Sequence, residues 1–203
     1  MSSKTNNKFR NTPLNPKLLA TPFKVNTDWF VITGASCSGK TTIIDLLAEE
    51  GYHTVPESGR LYISEELEKG RKIDEIREDQ ADLAHKIYDL MVRTEDNLPT
   101  DEKCFLDRAL PDAFSFFRFK GINPNEVFPD CFKYHYASVF ILDRLPYIRD
   151  GVRAADDETA AYYERWLLSD YKSLGYKTIR VPVLPPDDRI NYILEIISET
   201  TNL

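Results

Sequence analysis

Residues 34–41 read Gly34-Ala35-Ser36-Cys37-Ser38-Gly39-Lys40-Thr41, and this stretch decides the fold. It follows the apolar run 29–33 and precedes the amphipathic run 42–50, so we expect a strand before it and a helix after it. The stretch matches the G-x-x-x-x-G-K-[ST] pattern in the context that phosphate binding requires. Its small residues let successive backbone N–H groups form an anion-binding nest, to which the helix adds its positive dipole end. The pattern therefore predicts a nucleotide-phosphate site.

The positions of this loop have separate expected tasks. Lys40 would reach the β- and γ-phosphates, and the Thr41 hydroxyl would ligate Mg²⁺. The residues predicted to contact the nucleotide are Gly34, Ala35, Ser36, Cys37, Ser38, Gly39, Lys40, Thr41 and Thr42. The expected cofactors are ATP or GTP, together with Mg²⁺. The alternative is a glycine-rich turn between a strand and a helix that carries lysine and threonine by chance.

Composition narrows the class of protein. A chain of 203 residues suits one α/β domain with its own core. The net charge of −7 argues against a general nucleic-acid or anionic-membrane binder, which needs clustered Lys and Arg. The three cysteines form no disulfide framework or zinc spacing, which favours a reducing compartment. Without a signal peptide or an apolar run of roughly 20 residues, we expect a cytoplasmic protein with no membrane insertion.

Strands and helices alternate along most of the chain. Strands are expected at about 28–33, 52–56, 104–108, 138–142 and 177–183. Helices are expected at about 39–50, 60–69, 73–98, 110–120, 124–134, 159–174 and 188–199, the last with Asp187 as a plausible N-cap. This alternation predicts a three-layer α/β sandwich, with a mainly parallel five-stranded sheet between helices. Residues 1–26 lack a stable period and are predicted to be a flexible arm, with 27–203 as the domain.

Two acidic residues follow predicted strands, where ligands bind in open α/β sheets. Asp107 is the leading candidate to position Mg²⁺, and its carboxylate could also accept a proton from a substrate hydroxyl. Glu57 lies where a phosphoryl acceptor is expected and could orient or deprotonate its hydroxyl. The alternatives are a loop-starting or helix-capping role for Asp107 and a favourable helix-dipole contact for Glu57. The sequence does not rank the two as bases.

Several cationic and amide side chains are candidates for substrate contacts. Arg60 could hold an anionic group, and Arg108 is predicted to bind substrate beside Asp107. Gln80 could recognise a base or amide through paired donor and acceptor contacts, or it simply faces the surface. The charged loop 143–157 carries Arg144, Arg149 and Arg153. Of these, Arg153 is preferred as a catalytic arginine because Gly151 supplies a hinge-like position; the alternative is a solvated loop.

Taken together, these motifs resemble a known family. The chain is similar to the P-loop kinase-like AAA domain shared by ribosylnicotinamide kinase domains and the TRPL translocation defect protein 14 group. The resemblance covers about residues 28–197 and is carried by VITG (31–34), KTT (40–42), VPESGR (55–60), LDRALPD (106–112), DGVR (150–153), Tyr171 with LGY (174–176), and VP (181–182). It implies a five-stranded core in the order 2-3-1-4-5 and an arginine-bearing lid. Phosphate-loop roles carry over to Gly39, Lys40 and Thr41.

The resemblance also assigns the strand-end aspartate to Asp107 and, less directly, the lid arginine to Arg153. Cys37-Ser38 departs from the Pro-Gly-type sequence of many relatives, which leaves phosphate binding intact. We expect an ATP-binding kinase that transfers the γ-phosphoryl group to a small-molecule hydroxyl, nucleoside- or ribosyl-like. The alternative is a nucleotide-dependent switch that hydrolyses slowly and acts through a protein or phosphoinositide partner. The Asn-Lys-x-Asp and Asp-x-x-Gly motifs of small GTPases are absent.

Overall fold

The computed structural model describes residues 7–145 and 157–201, without the side chains of residues 200 and 201. Its strands are β1 (Val25–Asn26), β2 (Trp29–Thr33), β3 (His53–Val55), β4 (Cys104–Asp107), β5 (Tyr134–His135), β6 (Ser138–Leu142) and β7 (Thr178–Val181). Its helices are α1 (Lys40–Glu49), α2 (Ser58–Glu68), α3 (Ile73–Ile76), α4 (Gln80–Asp96), α5 (Asp112–Lys120), α6 (Phe128–Cys131), α7 (Asp157–Ser173) and α8 (Pro186–Thr201), with a 3-10 turn at Pro124–Val127.

Five of these strands form one sheet in the spatial order β3-β4-β2-β6-β7. Every neighbouring pair in this sheet is parallel. Numbered along the chain, these five strands have the order 2-3-1-4-5, which confirms the expected arrangement. The two-residue strands β1 and β5 form a separate parallel pair that the sequence did not predict.

The side chains of β2 alternate between two hydrophobic clusters on opposite faces of the sheet. Trp29 and Val31 belong to the cluster that packs against α4, α5 and α7, whereas Phe30 and Ile32 face α1 and α8. All five residues of β2 are buried, as expected for the central strand of a covered parallel sheet. The predicted three-layer α/β sandwich is therefore confirmed.

Three predicted helices differ from the structure. The helix expected over 73–98 is interrupted, because the Asp79 carboxylate accepts hydrogen bonds from two backbone N–H groups and starts α4 afresh. The helix expected over 124–134 is a 3-10 turn, one α-helical turn and β5. The last helix begins at Pro186, so Asp187 lies in its first turn and is not its N-cap.

Residues 7–26 lie against the domain. The Asn7 amide donates to the Arg118 and Phe119 carbonyl oxygens at 2.8 and 3.1 Å, and Leu14 is buried. Of the other apolar side chains in this segment, Leu19 and Phe23 pack on the core while Leu18 is exposed. The division of the chain at residue 27 stays a prediction, but residues 7–26 are packed and not detached.

A buried ion pair joins α5 to α7. Arg118 donates to both carboxylate oxygens of Asp170 at 2.6 and 2.8 Å, and both side chains are essentially inaccessible to solvent. The remaining Arg118 Nε–H donates to the Thr12 carbonyl oxygen at 2.6 Å, and the guanidinium lies 4.0 Å from the ring centre of Trp166. The Thr12 carbonyl oxygen of the N-terminal segment thus binds the guanidinium group that links the two helices.

Among the described residues, no helix combines the length and apolarity needed to span a membrane.

Candidate functional site

The phosphate loop connects β2 to α1 through backbone conformations that favour glycine. Gly34 has φ +149°, and a Cβ atom there would lie 2.8 Å from the Leu142 carbonyl oxygen. Gly39 has φ +86° immediately before α1, and its hypothetical Cβ would lie 3.3 Å from Nη1 of Arg189. Cys37 also adopts a left-handed conformation, with φ 64°. The two glycines therefore occupy positions that a side chain would strain or block.

The nest predicted from the sequence is present. Among the described residues, the backbone N–H groups of Gly39, Lys40 and Thr41 have no hydrogen-bond acceptor. They belong to a cavity of about 310 Å³, here called the phosphate pocket. The pocket is lined by Ser36, Cys37, Gly39, Lys40, Thr41, Thr42, Glu57, Arg60 and Arg108. Unpaired donors at a helix start, with cations around them, are the features that favour binding of an anion.

The Lys40 ammonium group folds back onto its own loop. Its Nζ donates to the Ala35 carbonyl oxygen at 3.0 Å and lies 3.5 Å from the Ser38 hydroxyl. Burial, reinforced by the charge of Arg108, lowers the pKa of Lys40 to about 8, although Asp107 and Glu57 act in the opposite direction. The charged lysine is therefore destabilised in the free protein, and a bound phosphate would stabilise it.

Asp107 ends β4 in register with Ile32, two residues before the phosphate loop begins. Its side chain is 4% exposed, and among the described residues Oδ1 has no hydrogen-bond partner. Burial raises the pKa of Asp107 to about 6, against the opposing charges of Lys40 and Arg108. The structure thus places the predicted carboxylate at the carboxyl edge of the sheet beside the loop, with one oxygen uncommitted.

The residues present fit a nucleotide-borne Mg²⁺. Asp107 offers the unpaired carboxylate oxygen and Thr41 a hydroxyl that lines the phosphate pocket, and hard oxygen ligands are what Mg²⁺ selects. Among the described residues, no group of three or more His, Cys, Asp or Glu side chains could hold a metal ion.

Arg108 lies at the centre of the site in an unusual conformation. Its φ is 73°, which non-glycine residues rarely adopt. Because Val55 and Leu106 are paired, the residues two positions beyond them, Glu57 and Arg108, also meet, with Nε 3.4 Å from Oε1. Arg108 Nη1 lies 3.0 Å from Asp112, and Nη2 has no partner among the described residues.

Their mutual charges keep both Arg108 and Glu57 ionised. Burial acts against the charge on Arg108, but Glu57, Asp112 and Asp107 outweigh it and raise its pKa above the ordinary value. Burial likewise opposes ionisation of Glu57, yet Arg108 and Lys40 together hold its pKa below the usual range. Glu57 is therefore an anion at neutral pH. The Nη2 group of Arg108 remains available to donate hydrogen bonds to a ligand.

Two buried carboxylates that the sequence analysis missed hold the loop after β4. Asp112 accepts hydrogen bonds from Thr33, Arg108, the Ala109 N–H and Tyr171. Glu95 accepts from the Leu110 N–H at 3.0 Å and from Tyr136 at 2.9 Å. A signal for Glu95 was present, because it continues the apolar series 83, 87 and 91 at a spacing of four on α4. An acid in an apolar helix face indicates a buried polar contact.

A second cavity, the aromatic pocket, adjoins the phosphate pocket. Its volume is about 190 Å³, and it shares Ser36, Glu57 and Arg108 with the phosphate pocket. The rest of its lining consists of Ala84, Tyr88, Met91, Asp112, Ala113, Ser115, Phe116, Phe117 and Tyr163. The amphipathic pattern of α5 favours a core role for its aromatic residues, and Phe114 and Phe117 are indeed buried. Phe116, however, is partly exposed and faces this pocket together with Phe117.

Other predicted site residues lie elsewhere. Gln80 lines neither pocket, since its amide donates to the Arg77 carbonyl oxygen and accepts from Lys120. Arg153 and Arg149 lie outside the described residues. Arg144 pairs with Asp157 and Glu164 at 2.6 and 3.0 Å, which accounts for its charge without a ligand.

Comparison with solved structures shows likeness in fold. The NadR protein in complex with NR aligns with 87% of this chain and 52% of its own, at 20% identity and a TM-score of 0.61. Deoxyadenosine kinase from M. mycoides, with dCMP and dCDP bound, aligns with 84% of this chain and 98% of its own, at 14% identity and a TM-score of 0.59. Thymidylate kinase from Ehrlichia chaffeensis aligns with 86% of this chain and 100% of its own, at 13% identity and a TM-score of 0.58.

The chain spans about half the length of the NadR chain. A comparison with curated proteins gives no significant match. The family model described as AAA domain matches residues 29–189, which begin with β2 and end in the first turn of α8. This range includes the phosphate loop, both acidic strand ends and both pockets, so the chain belongs to this AAA domain family.

Proposed function

We propose that this protein is a kinase that transfers the γ-phosphoryl group of ATP to a hydroxyl group of a small molecule carrying a planar ring, nucleoside- or ribosyl-like. The observation that carries the proposal is that the phosphate pocket and the aromatic pocket meet at Glu57 and Arg108. A second pocket that adjoins the first gives room for an acceptor beside the phosphates. The NR and deoxynucleotides named in the similar structures support a ring-bearing acceptor.

The aromatic pocket would receive the acceptor. Tyr88, Phe116 and Tyr163 offer ring surfaces against which a planar group packs. An acceptor so placed has its hydroxyl towards Glu57, at the boundary of the two pockets. Positioning of this kind makes up much of the catalysis of phosphoryl transfer, because the transition state demands in-line geometry and charge stabilisation.

The phosphate pocket would hold the ATP polyphosphate. The free N–H groups of the loop and the Lys40 ammonium would bind the phosphate oxygens, and the available edge of Arg108 would stabilise charge on the transferred group. Thr41 and Asp107 would hold Mg²⁺, which when bound would supply positive charge beside the phosphates. Arg153, outside the described residues, stays a proposed further cation of this site.

Of the two carboxylates, we assign the base to Glu57. It lines both pockets and is ionised at neutral pH, whereas Asp107 is buried and lines neither pocket. The acceptor oxygen forms a bond to the γ-phosphorus while the bond to the β–γ bridging oxygen breaks. ADP leaves, and the hydroxyl proton passes to Glu57.

The test is acceptor-dependent ADP release. Purified protein with ATP and Mg²⁺ is assayed against a panel of nucleosides, nicotinamide riboside and ring-free polyols, with GTP replacing ATP in a parallel series. We expect at least one ring-bearing acceptor to accelerate ADP release and to yield a phosphorylated product by mass spectrometry. A protein that binds ATP but is accelerated by no acceptor would contradict the proposal and favour the nucleotide switch.

A further inference from the structure

Arg189 is a buried cation directly behind the phosphate loop. It lies in the first turn of α8 and is 2% exposed. Its guanidinium donates to three backbone carbonyl oxygens: Ser38 at 2.6 Å, Pro182 at 2.8 Å and Asp143 at 3.1 Å. One side chain thus joins the phosphate loop to the carboxyl ends of β6 and β7.

The bond to Ser38 orients the next peptide group. In a trans peptide the C=O and the following N–H point in opposite directions. Because the Ser38 carbonyl oxygen points at Arg189, the Gly39 N–H points away from α8, on the side where the nest lies. This N–H is one of the donors without an acceptor among the described residues. Arg189 therefore fixes the direction of a donor that a phosphate would use.

The charge of Arg189 is unfavourable in the free protein. Among the described residues, no carboxylate lies within 4 Å of it, and the Asp143 carboxylate pairs with Arg180. A cation in the first turn of a helix also opposes the helix dipole. Burial lowers the pKa of Arg189, while Asp143 acts the other way. The three carbonyl oxygens satisfy N–H groups of the guanidinium but leave its net positive charge without an anionic partner, so an anion bound nearby would stabilise it.

We propose that Arg189 is a positioning residue for nucleotide binding, which aims the Gly39 N–H at the phosphates and whose buried charge the bound polyphosphate compensates. The proposal rests on the nucleotide site described under the proposed function, and it requires no acceptor. It predicts a dependence on the number of phosphates, since the compensation grows with the negative charge of the ligand. A side chain that only stabilised the fold would not show that dependence.

The experiment measures Kd for AMP, ADP and ATP by isothermal titration calorimetry in wild type, Arg189→Met and Arg189→Lys. For Arg189→Met we expect ATP affinity to fall about 10- to 100-fold, the loss of one or two charge-assisted hydrogen bonds, with smaller losses for ADP and AMP. Arg189→Lys keeps the charge but not the three bonds, so it should weaken the three nucleotides by similar factors. Arg93→Met removes an exposed arginine on α4 and should change none of these values.

Equal losses for AMP and ATP in Arg189→Met, or unchanged affinities, would overturn the inference. Should that variant not fold, Arg189→Gln, which keeps an N–H donor without the charge, gives the same ratio of ATP to AMP losses. Failure of the proposed function is distinguishable. If the wild-type protein binds no nucleotide, the nucleotide site itself is refuted. If it binds ATP but no acceptor, the proposed kinase activity fails while the Arg189 measurements still test this inference.

Discussion

The phosphate pocket and the aromatic pocket are built in different ways. The phosphate pocket is mainly backbone and short polar side chains from the loop and the start of α1, with Glu57, Arg60 and Arg108 added from the segments that follow β3 and β4. The aromatic pocket combines the start of α5 with side chains from α4 and α7. The phosphate pocket can therefore be recognised from a motif in the sequence, whereas the aromatic pocket forms only when three helices have packed together.

This difference separates the general part of the site from the specific part. Backbone N–H groups bind a phosphate whatever it is attached to. Packed side chains select the shape of the acceptor, and a changed ring in α5 or α7 alters that shape without touching the phosphate loop. Ser36, Glu57 and Arg108 line both pockets, so substitutions there should affect both steps, and substitutions at the other lining residues should affect one.

The largest effect is expected at the shared carboxylate. Glu57→Gln should lower acceptor-dependent turnover by about 10²- to 10⁴-fold, the usual contribution of a positioned base. ATP affinity should stay the same or increase, because a negative charge leaves the phosphate pocket. Steady-state kinetics and ATP titration measure the two effects, with the exposed Glu65→Gln on α2 as the control. Turnover close to wild type would transfer the base assignment to Asp107.

Lys40→Met should impair the phosphate pocket and leave the aromatic pocket intact. We expect turnover to fall by about 10²- to 10³-fold, as for other groups that stabilise developing charge. The acceptor should still bind, because Lys40 does not line the aromatic pocket. Acceptor binding followed by calorimetry and turnover followed by ADP release distinguish the two sides. The matched control is Lys69→Met, which removes an exposed lysine on the surface. Full activity in Lys40→Met would refute the phosphate site.

The pH profile should report the two buried groups of the phosphate side. Deprotonated Asp107 and protonated Lys40 are the required forms, with pKa values of about 6 and about 8 in the free protein. A plot of kcat/KM should therefore be bell-shaped, falling about tenfold per pH unit beyond each limb. Bound phosphate raises the pKa of Lys40, so the alkaline limb of kcat should move to higher pH. A flat profile between pH 5 and 9 would contradict these assignments.

The smallest effect is expected on the aromatic side. Phe116→Ala should raise the acceptor KM by about 2- to 12-fold, which corresponds to the 0.5–1.5 kcal/mol of an aromatic pair. The Kd for ATP should not change, since Phe116 lies outside the phosphate pocket. The partly exposed Phe9 of the N-terminal segment provides a control as Phe9→Ala. A shift in ATP affinity equal to that in acceptor KM would show that the pockets are not separable.

The sequence predicted those parts of the molecule that are determined by interactions between residues close together in the chain. The phosphate loop, the parallel sheet and the acidic strand ends follow from periodicity and from residues that are neighbours in the chain. Glu57 and Asp107 could be placed at one edge because parallel strands end at the same edge. Gln80 could not be placed, since the Asp79 cap interrupts the predicted helix directly before it, and at the start of α4 it lines neither pocket.

The residues missed are buried polar groups whose partners are distant in sequence. Arg189 bonds to Ser38 across 151 residues, and Tyr171 bonds to Asp112 across 59. Nothing near Arg189 distinguishes it from an arginine exposed on a helix, because burial is decided by the packing of α8 on the sheet. Such contacts become visible only with the tertiary structure.

The packing of the N-terminal segment has a consequence for the order of folding. Its carbonyl oxygens at Thr12 and Arg10 accept hydrogen bonds from Arg118 and Tyr162, across 106 and 152 residues. A ribosome releases this segment before α5 and α7, yet its binding surface does not exist until α7 has been synthesised. The segment therefore packs only after elements that are made much later than it. Each of these contacts closes a loop of more than 100 residues, which costs conformational entropy. We therefore expect them to form late in refolding.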